Sequence, residues 1–295
     1  MASISAIIGL LPLDVAGKIC AVCLKYFGQI PLLQQRVKSN ILRAFPNISA
    51  AECTQIANEM WENLGYVVAE YVHMEQLLQE SHRFTFHGAE HLENAREQGA
   101  IFFSGHFANW EIPPAIIQRH GLSVALVYRA PNNPYSHQWL LKARNHCTHL
   151  HIPKGKEGAK TIVKLLRDKK HVGMLIDQKM NDGIAVPFFG EKVMTAPAIA
   201  QLAMKYNIPL YPVSVQRLQG SHFDIIVHPP ITLINEEGTD KEALIYNSMC
   251  QINGLIEGWI KEKPGQWLWL HRRWPTAKIA ERLDNVNNHD GQQHE

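Results

Sequence analysis

His106 and Glu111 place a base and an acid close together in the stretch Ala-Ile-Phe-Phe-Ser-Gly-His-Phe-Ala-Asn-Trp-Glu-Ile that runs from Ala100 to Ile112. Free imidazole titrates at about 6.5, so a histidine can take a proton near neutrality. A carboxylate on its far nitrogen fixes the tautomer and stabilises the imidazolium that forms. Such a dyad would activate a hydroxyl brought in from outside. Along an unbroken helix, the spacing would turn Glu111 roughly 140° away from His106, so the chain must bend for the two to meet. Ser104-Gly105 supplies the bend. The plainer alternative is that His106 caps a helix and Glu111 faces solvent.

The elements that must hold this pair can be read from both sides of it. Ile101 to Phe103 form a short buried strand, ended by Ser104 and Gly105. Asn109 to Gln118 can begin a helix, because the Pro113-Pro114 pair falls near its first turn. Further on, Leu122–Tyr128, His149–Ile152 and Val172–Ile176 read as strands, with helices over Pro134–Asn145 and Lys156–Lys169 between them. That alternation predicts an α/β sheet covered by helices. Pro209–Arg217 and Phe223–His228 read as an antiparallel pair, so the sheet is mixed and mostly parallel. Thr195–Tyr206 and Asp240–Lys261 read as later helices.

Other polar groups cluster where strands end, as sites do in such sheets. Arg129 follows a strand in Tyr128-Arg129-Ala-Pro-Asn132-Asn133-Pro134 and could clamp a phosphate, or pair at the surface. Arg144 and Asn145 close the next helix, where an arginine also complements the helix dipole. Asp177 and Gln178 leave a buried strand ahead of an apolar loop, Val186 to Gly190, which together could hold a headgroup beside an acyl chain. Gln266 to Trp274 alternates like a strand and finishes on Arg272 and Arg273 between aromatics, a pattern suited to a lipid-water boundary, or to a core strand with a solvated end. Cys147, His149 and His151 share one strand face but lack a fourth metal ligand at fixed spacing, and Cys20 and Cys23 lie in a helical pattern without redox context. No metal site is expected. No serine elbow, zincin helix or nucleotide-binding glycine loop is present in the sequence.

The 295 residues carry 29 Lys and Arg against 27 Asp and Glu, so nucleic acid is not an expected partner. Five irregularly placed cysteines suggest a reducing compartment. Residues 1–30 are expected to form a membrane-interfacial helical segment. Met1 to Leu13 is apolar but short for a span, and Asp14, Lys18 and Lys25 fall within an arc of roughly 40° on a helix whose remaining face is apolar. Docking on the chain's own domain is the other option. Arg36, Lys38 and Arg43 follow and suit anionic headgroups. Residues 31–283 are expected to form the catalytic domain behind a helical preface, with Ser49 capping a long helix from Ala50 to Met74, and residues 284–295 a disordered tail.

Taken together, these residues resemble the late acyltransferases of lipid A biosynthesis, within the lysophospholipid acyltransferase-like superfamily. The resemblance runs from Met60-Trp61-Glu62-Asn63-Leu64-Gly65 to His271-Arg272-Arg273-Trp274. His106 and Glu111 match the family's His-x-x-x-x-Asp/Glu motif. Tyr128, Arg129, Asn132, Asn133 and Pro134 match its Tyr-Arg segment, and Asp177 and Gln178 its Asp-Gln turn. The resemblance implies a glycerolipid acyltransferase-like fold without cofactor. It implies transfer of a fatty acyl chain from acyl carrier protein, or acyl-CoA, to a hydroxyl of a lipid A precursor, at the cytoplasmic face of the inner membrane. His106 would deprotonate that hydroxyl with Glu111 orienting it, and no acyl-enzyme would form. Arg129, Arg144, Arg272 and Arg273 become phosphate candidates, with Asn132, Asn145, Asp177 and Gln178 as further substrate-binding candidates. Related acyltransferases act on phosphatidylinositol mannosides, and a non-catalytic membrane lipid-binding protein is the remaining alternative. Relatives usually begin with a transmembrane helix, so here either the anchor is interfacial or the start has been trimmed.

Overall fold

The computed structural model describes residues 2–131, 133–148, 150–233 and 240–274. Five helices open the chain: α1 (Ala2–Gly9), α2 (Leu13–Phe27), α3 (Pro31–Ala44), α4 (Ala50–Val72) and α5 (Met74–Gln79). Ser49 caps α4 as expected. Its hydroxyl accepts from the Glu52 backbone N–H while the Glu52 carboxylate accepts from the Ser49 N–H. β1 (Phe84–His87) and α6 (Ala89–Gln98) lead into β2 (Ala100–Ser104), whose five residues are all buried. Then come α7 (Ile112–Arg119), β3 (Val124–Tyr128), α8 (Pro134–Arg144), β4 (His151–Pro153), α9 (Lys156–Arg167) and β5 (His171–Leu175).

A seven-stranded sheet is completed by β8 (Leu210–Arg217) and β9 (Phe223–Val227), which follow a hairpin of β6 (Lys179–Phe188) and β7 (Glu191–Thr195) and the helix α10 (Ala198–Tyr206). The order is β1-β9-β8-β2-β5-β3-β4, with only the β8-β9 pair antiparallel. The fold is therefore the mixed, mostly parallel α/β sheet that the alternation implied. β2 lies at its centre, flanked by β8 and β5. A central, fully covered strand must be apolar on both faces, which is why Ala-Ile-Phe-Phe reads as a run rather than an alternation. The final helix, α11 (Lys241–Glu262), is capped by Asp240 and packs along β6.

Two expectations are corrected. The segment 186–190 is not a loop: Val186 to Phe188 end β6, and the chain reverses through Phe189 (φ 50°) and Gly190 (φ 77°). The C-terminal segment is not a strand at a lipid boundary. It begins with a 3-10 turn at Pro264–Gln266 and then carries Trp267, Trp269, Arg273 and Trp274 inward at 0, 0, 1 and 3% exposure. The alternation is real, but these indoles close the core against Phe188, and Trp269 also packs on Phe45.

Within residues 1–30, one face of α2 docks on the chain's own domain. Leu13, Ala16, Gly17, Cys20 and Ala21 of α2 are buried on α4. A side chain at Gly65 would strike the backbone of Cys20 and Ala21, so glycine there sets the close approach. The polar stripe is tied inward: Arg83 donates to both Asp14 oxygens at 2.8 and 3.0 Å, and Lys25 pairs with Glu62 at 2.6 Å. Outward, α2 presents Val15, Ile19, Val22, Tyr26 and Phe27 beside the exposed Lys18 and Cys23. Among the described residues no helix is long and apolar enough to cross a membrane. The expected tail, 284–295, lies outside the described residues.

Candidate active site

His106 stands just beyond the C-terminal end of β2, and its carboxylate partner comes from the neighbouring strand. Ser104 pairs with Leu175, and the Ile176 N–H donates to Ser104 O at 3.0 Å, so the parallel register continues past both strand ends. Two positions on from that pair, Asp177 meets His106. Asp177 Oδ1 lies 2.7 Å from His106 Nδ1, and Oδ2 accepts from the His106 backbone N–H and from Trp267 Nε1–H, each at 2.7 Å. Gly105 makes room for this carboxylate, since a Cβ there would come within 3.0 Å of Asp177 Oδ2 and 2.7 Å of the Phe107 ring. Burial alone would raise the pKa of Asp177. The charge and hydrogen bonds of His106 override it and hold the carboxyl well below the usual range.

This corrects the expected dyad, because Glu111 does not serve His106. It lies at the start of α7, 2% exposed, and accepts from Arg144 Nε at 2.9 and 3.0 Å and from Arg144 Nη2 at 2.6 Å. Tyr71 Oη (2.6 Å) and Trp110 Nε1 (3.0 Å) also donate to it. A buried carboxylate takes the strongest donor in reach, and the guanidinium from the end of α8 is that donor. Burial disfavours the charge on Arg144, yet Glu111 raises its pKa overall. Arg144 is thus committed to Glu111 rather than open to a phosphate.

The turn itself is held by a second buried network. Ala108 has φ 45°, a left-handed conformation that a non-glycine residue keeps only under restraint. Its N–H donates to Gln266 O at 3.0 Å and its carbonyl accepts from Asn63 Nδ2 at 3.1 Å. Asn63 accepts from Arg217 Nε at 2.8 Å, and Arg217 forms a two-armed ion pair with Glu70. Glu70 also accepts from Asn109 Nδ2 (2.9 Å) and Ser221 Oγ (2.7 Å). Glu70 and Arg217 were not among the sequence candidates. The available signal was Arg217 at the end of a mostly apolar strand, where a charge needs a buried partner.

The remaining candidates separate clearly. Gln178 reaches His106, with its amide nitrogen 3.2 Å from Nε2. Arg129 and Arg272 are exposed. Arg273 is 1% exposed and points into the core, donating to Thr195 Oγ1 at 3.0 Å and Asn253 Oδ1 at 3.2 Å, with its guanidinium over the Phe188 ring. Burial lowers its pKa to about 10, and it cannot meet a substrate phosphate from there. Asn145 Oδ1 is 3.1 Å from His151 Nε2, and Asn132 and His149 lie outside the described residues. Cys147 is buried, which pushes its thiol pKa up. Among the described residues, no group of three or more His, Cys, Asp or Glu side chains is placed to hold a metal.

Beside the turn a narrow cavity of about 50 Å³ runs between α7 and strands β2, β3 and β5. Trp110, Glu111 and Arg144 line it together with Phe103, Leu126 and Gly173, and most of its wall is apolar. The Trp110 ring centroid lies 5.0 Å from that of His106, so the cavity adjoins this imidazole. The site thus combines a carboxylate-oriented imidazole, 12% exposed, with a neighbouring apolar hole.

The chain matches the family described as bacterial lipid A biosynthesis acyltransferase over residues 1–276. It is 25% identical over 267 residues to a lipid A biosynthesis palmitoleoyltransferase of Escherichia coli (strain K12), covering 85% of this chain and 82% of that protein. A lipid A biosynthesis acyltransferase of Shigella flexneri matches to the same extent. With the sheet, the histidine turn and the apolar cavity all in place, the chain belongs to the bacterial lipid A biosynthesis acyltransferase family.

Proposed function

We propose that this acyltransferase moves a fatty acyl chain from a thioester, carried by acyl carrier protein or coenzyme A, onto a hydroxyl of a phosphorylated glucosamine lipid in lipid A biosynthesis. The observation that carries the reading is the Asp177-His106 pair next to the apolar cavity. Asp177 holds the Nδ1 hydrogen, which leaves Nε2 to accept the acceptor's hydroxyl proton. The oxygen then attacks the thioester carbon, the C–S bond breaks, and the leaving thiolate takes the proton back from His106. No covalent acyl-enzyme is required, since the base is an imidazole and the nucleophile belongs to the substrate. The cavity would hold the acyl chain. The exposed Arg129 and Arg272 are the proposed phosphate contacts.

The same reading places the protein on the cytoplasmic face of the inner membrane, where a thioester from the cytoplasm meets a lipid acceptor. Its support is the outward apolar face of α2. The test is to incubate the protein with lauroyl, myristoyl and palmitoleoyl thioesters and a phosphorylated glucosamine-disaccharide lipid, and to follow the products by mass spectrometry. Mass gain of one acyl group on the lipid, lost in His106→Ala, is expected. Transfer to phosphatidylinositol mannoside alone would move the acceptor assignment, and release of free fatty acid alone would overturn transfer.

A further inference from the structure

The imidazole of His271 packs edge-on against His106, with ring centroids 4.7 Å apart, and the Gln178 side chain bridges them. Its amide nitrogen is 3.2 Å from Nε2 of His106 and 3.2 Å from Nε2 of His271. The hydrogen-bond roles follow from Asp177. A neutral His106 that donates from Nδ1 to the carboxylate has only a lone pair at Nε2, so the group facing it must be an N–H. Burial, with His106 beside it, lowers the pKa of His271 to about 4, so this ring is neutral near pH 7 and its Nε2 can accept the second N–H. The Gln178 backbone is fixed as well, since its carbonyl accepts from Arg273 Nη1 at 3.3 Å.

A hydroxyl about to be deprotonated must sit within hydrogen-bond distance of His106 Nε2. The Gln178 amide takes that position. An incoming hydroxyl therefore displaces one amide hydrogen bond and leaves the other, to His271, as a tether. The freed N–H remains beside the base, next to where the thioester carbon must lie for attack. We propose that Gln178 is a catalytic residue that donates this N–H to the oxyanion of the tetrahedral intermediate, and that His271 is the positioning residue that keeps the amide aimed there. Gln178 is exposed at the opening, as a substrate-contacting group must be, whereas His271 is largely covered.

The proposal rests on the reading of His106 as the base. In the step itself, the acceptor O–H proton goes to His106 Nε2, the O–C bond forms and the carbonyl electron pair moves onto oxygen. Gln178 stabilises that charge until the C–S bond breaks and the thiolate is protonated by His106. Loss of one such donor costs on the order of 100- to 1000-fold in kcat.

The experiment compares Gln178→Ala, His271→Leu, His271→Gln and His106→Ala with the unaltered protein, using the same thioester panel and glucosamine lipid. Gln178→Ala is expected to lose about 100- to 1000-fold in kcat with KM little changed. His271→Leu should lose up to about 100-fold, and His271→Gln, which keeps an acceptor near the same place, should recover much of that loss at equal melting temperature. A purely structural role would instead lower melting temperature and leave kcat per folded molecule intact. If His106→Ala is inactive while Gln178→Ala and His271→Leu keep full kcat, the present inference fails and the base stands. If His106→Ala retains turnover, both fail. A readout independent of turnover is 15N NMR of the imidazoles. Gln178→Ala should shift the Nε2 signals of both His106 and His271, and an Nε2-protonated neutral tautomer at either ring overturns the bridge.

Discussion

Asp177 Oδ1 and His106 Nδ1 are 2.7 Å apart, and the same carboxylate also fixes the backbone of the residue it orients. One side chain therefore sets the imidazole's tautomer, its rotation and the turn on which it stands. Asp177→Asn should keep the shape but can offer Nδ1 an N–H instead of an acceptor, which selects the wrong tautomer. The expected loss is about 100- to 10,000-fold in turnover, similar to His106→Ala. Steady-state kinetics on the two variants, with circular dichroism to confirm folding, checks this. Near-normal turnover in folded Asp177→Asn would remove the aspartate from the mechanism.

Glu111 should behave differently. Its oxygens close a buried ion pair with Arg144, and removing either partner leaves an unpaired charge, which costs about 3–5 kcal/mol. Arg144→Met should therefore lower the unfolding free energy by that amount. Glu111→Gln, which keeps an acceptor for Tyr71, should fall by less. In both, activity per folded molecule should drop less than in Asp177→Asn. Chemical denaturation measured beside kcat separates the two carboxylates: a rate loss far larger than the stability loss explains is the signature of Asp177, and a rate loss that is small beside the stability loss is that of Glu111.

The contrast shows what the sequence could and could not reveal. The His106 turn was legible because an apolar run stops at Ser104-Gly105, and both signals are local. Asp177 was visible as a polar residue at a strand end, but its pairing with His106 depends on β5 lying beside β2, a neighbour relation that no spacing along the chain encodes. Glu111 looked like the partner because it was near in sequence, and Arg144, which claims it, arrives from α8. Trp267 and Trp269 showed a strand-like alternation, yet among the described residues their only ladder-like contact is the bridge from Phe107 to Trp267, and burial decides the rest. The fold class was readable from the alternation of elements, whereas the turn's lock by Glu70 and Arg217 joins residues 147 positions apart.

The cavity makes a specificity prediction. Leu126 and Gly173 face each other across its wall, where a Cβ on residue 173 would come 2.7 Å from Leu126 Cδ2. Leu126→Trp should fill the space and shift the preferred thioester toward shorter chains, and Leu126→Ala should extend it, with a stability cost of roughly 2–5 kcal/mol. Competition among mixed thioesters, read by product mass, is the check. An unchanged chain-length profile in both variants would place the acyl chain elsewhere.

Stability should rise with pH between about 4 and 6.5. Burial lowers the pKa of both His171 and His271 to about 4 against 6.5 for a free side chain, so the unfolded chain binds more protons in that window. Their contribution is complete above about 6.5 and disappears as pH falls toward 4, each ring adding on the order of 3 kcal/mol. His171 is at the start of β5, with Lys170 and Arg96 near enough to depress it further. His171→Leu should flatten the dependence in urea unfolding across this range. A slope identical to that of the unaltered protein would show that His171 does not titrate with folding.

The proposed membrane attachment would rest on α2. The charge stripe of α2 is not available to headgroups in full, because Asp14 is bound to Arg83 and Lys25 to Glu62. The outward face offers Val15, Ile19, Val22, Tyr26 and Phe27, exposed at 43, 47, 54, 75 and 62%, and it continues through Ile30 and Leu32. Burying that apolar area in the interfacial region should dominate binding, with Lys18 and the basic residues of α3 adding a smaller electrostatic part of about 1 kcal/mol per residue near the surface. Ile19→Glu with Val22→Glu should therefore abolish sedimentation with anionic vesicles and change melting temperature little, because both side chains are about half exposed and neither belongs to the buried face of α2. Raising salt should weaken binding of the unaltered protein only in part. If salt alone releases it completely while the double variant still binds, the attachment is electrostatic and the apolar face of α2 is not its membrane contact.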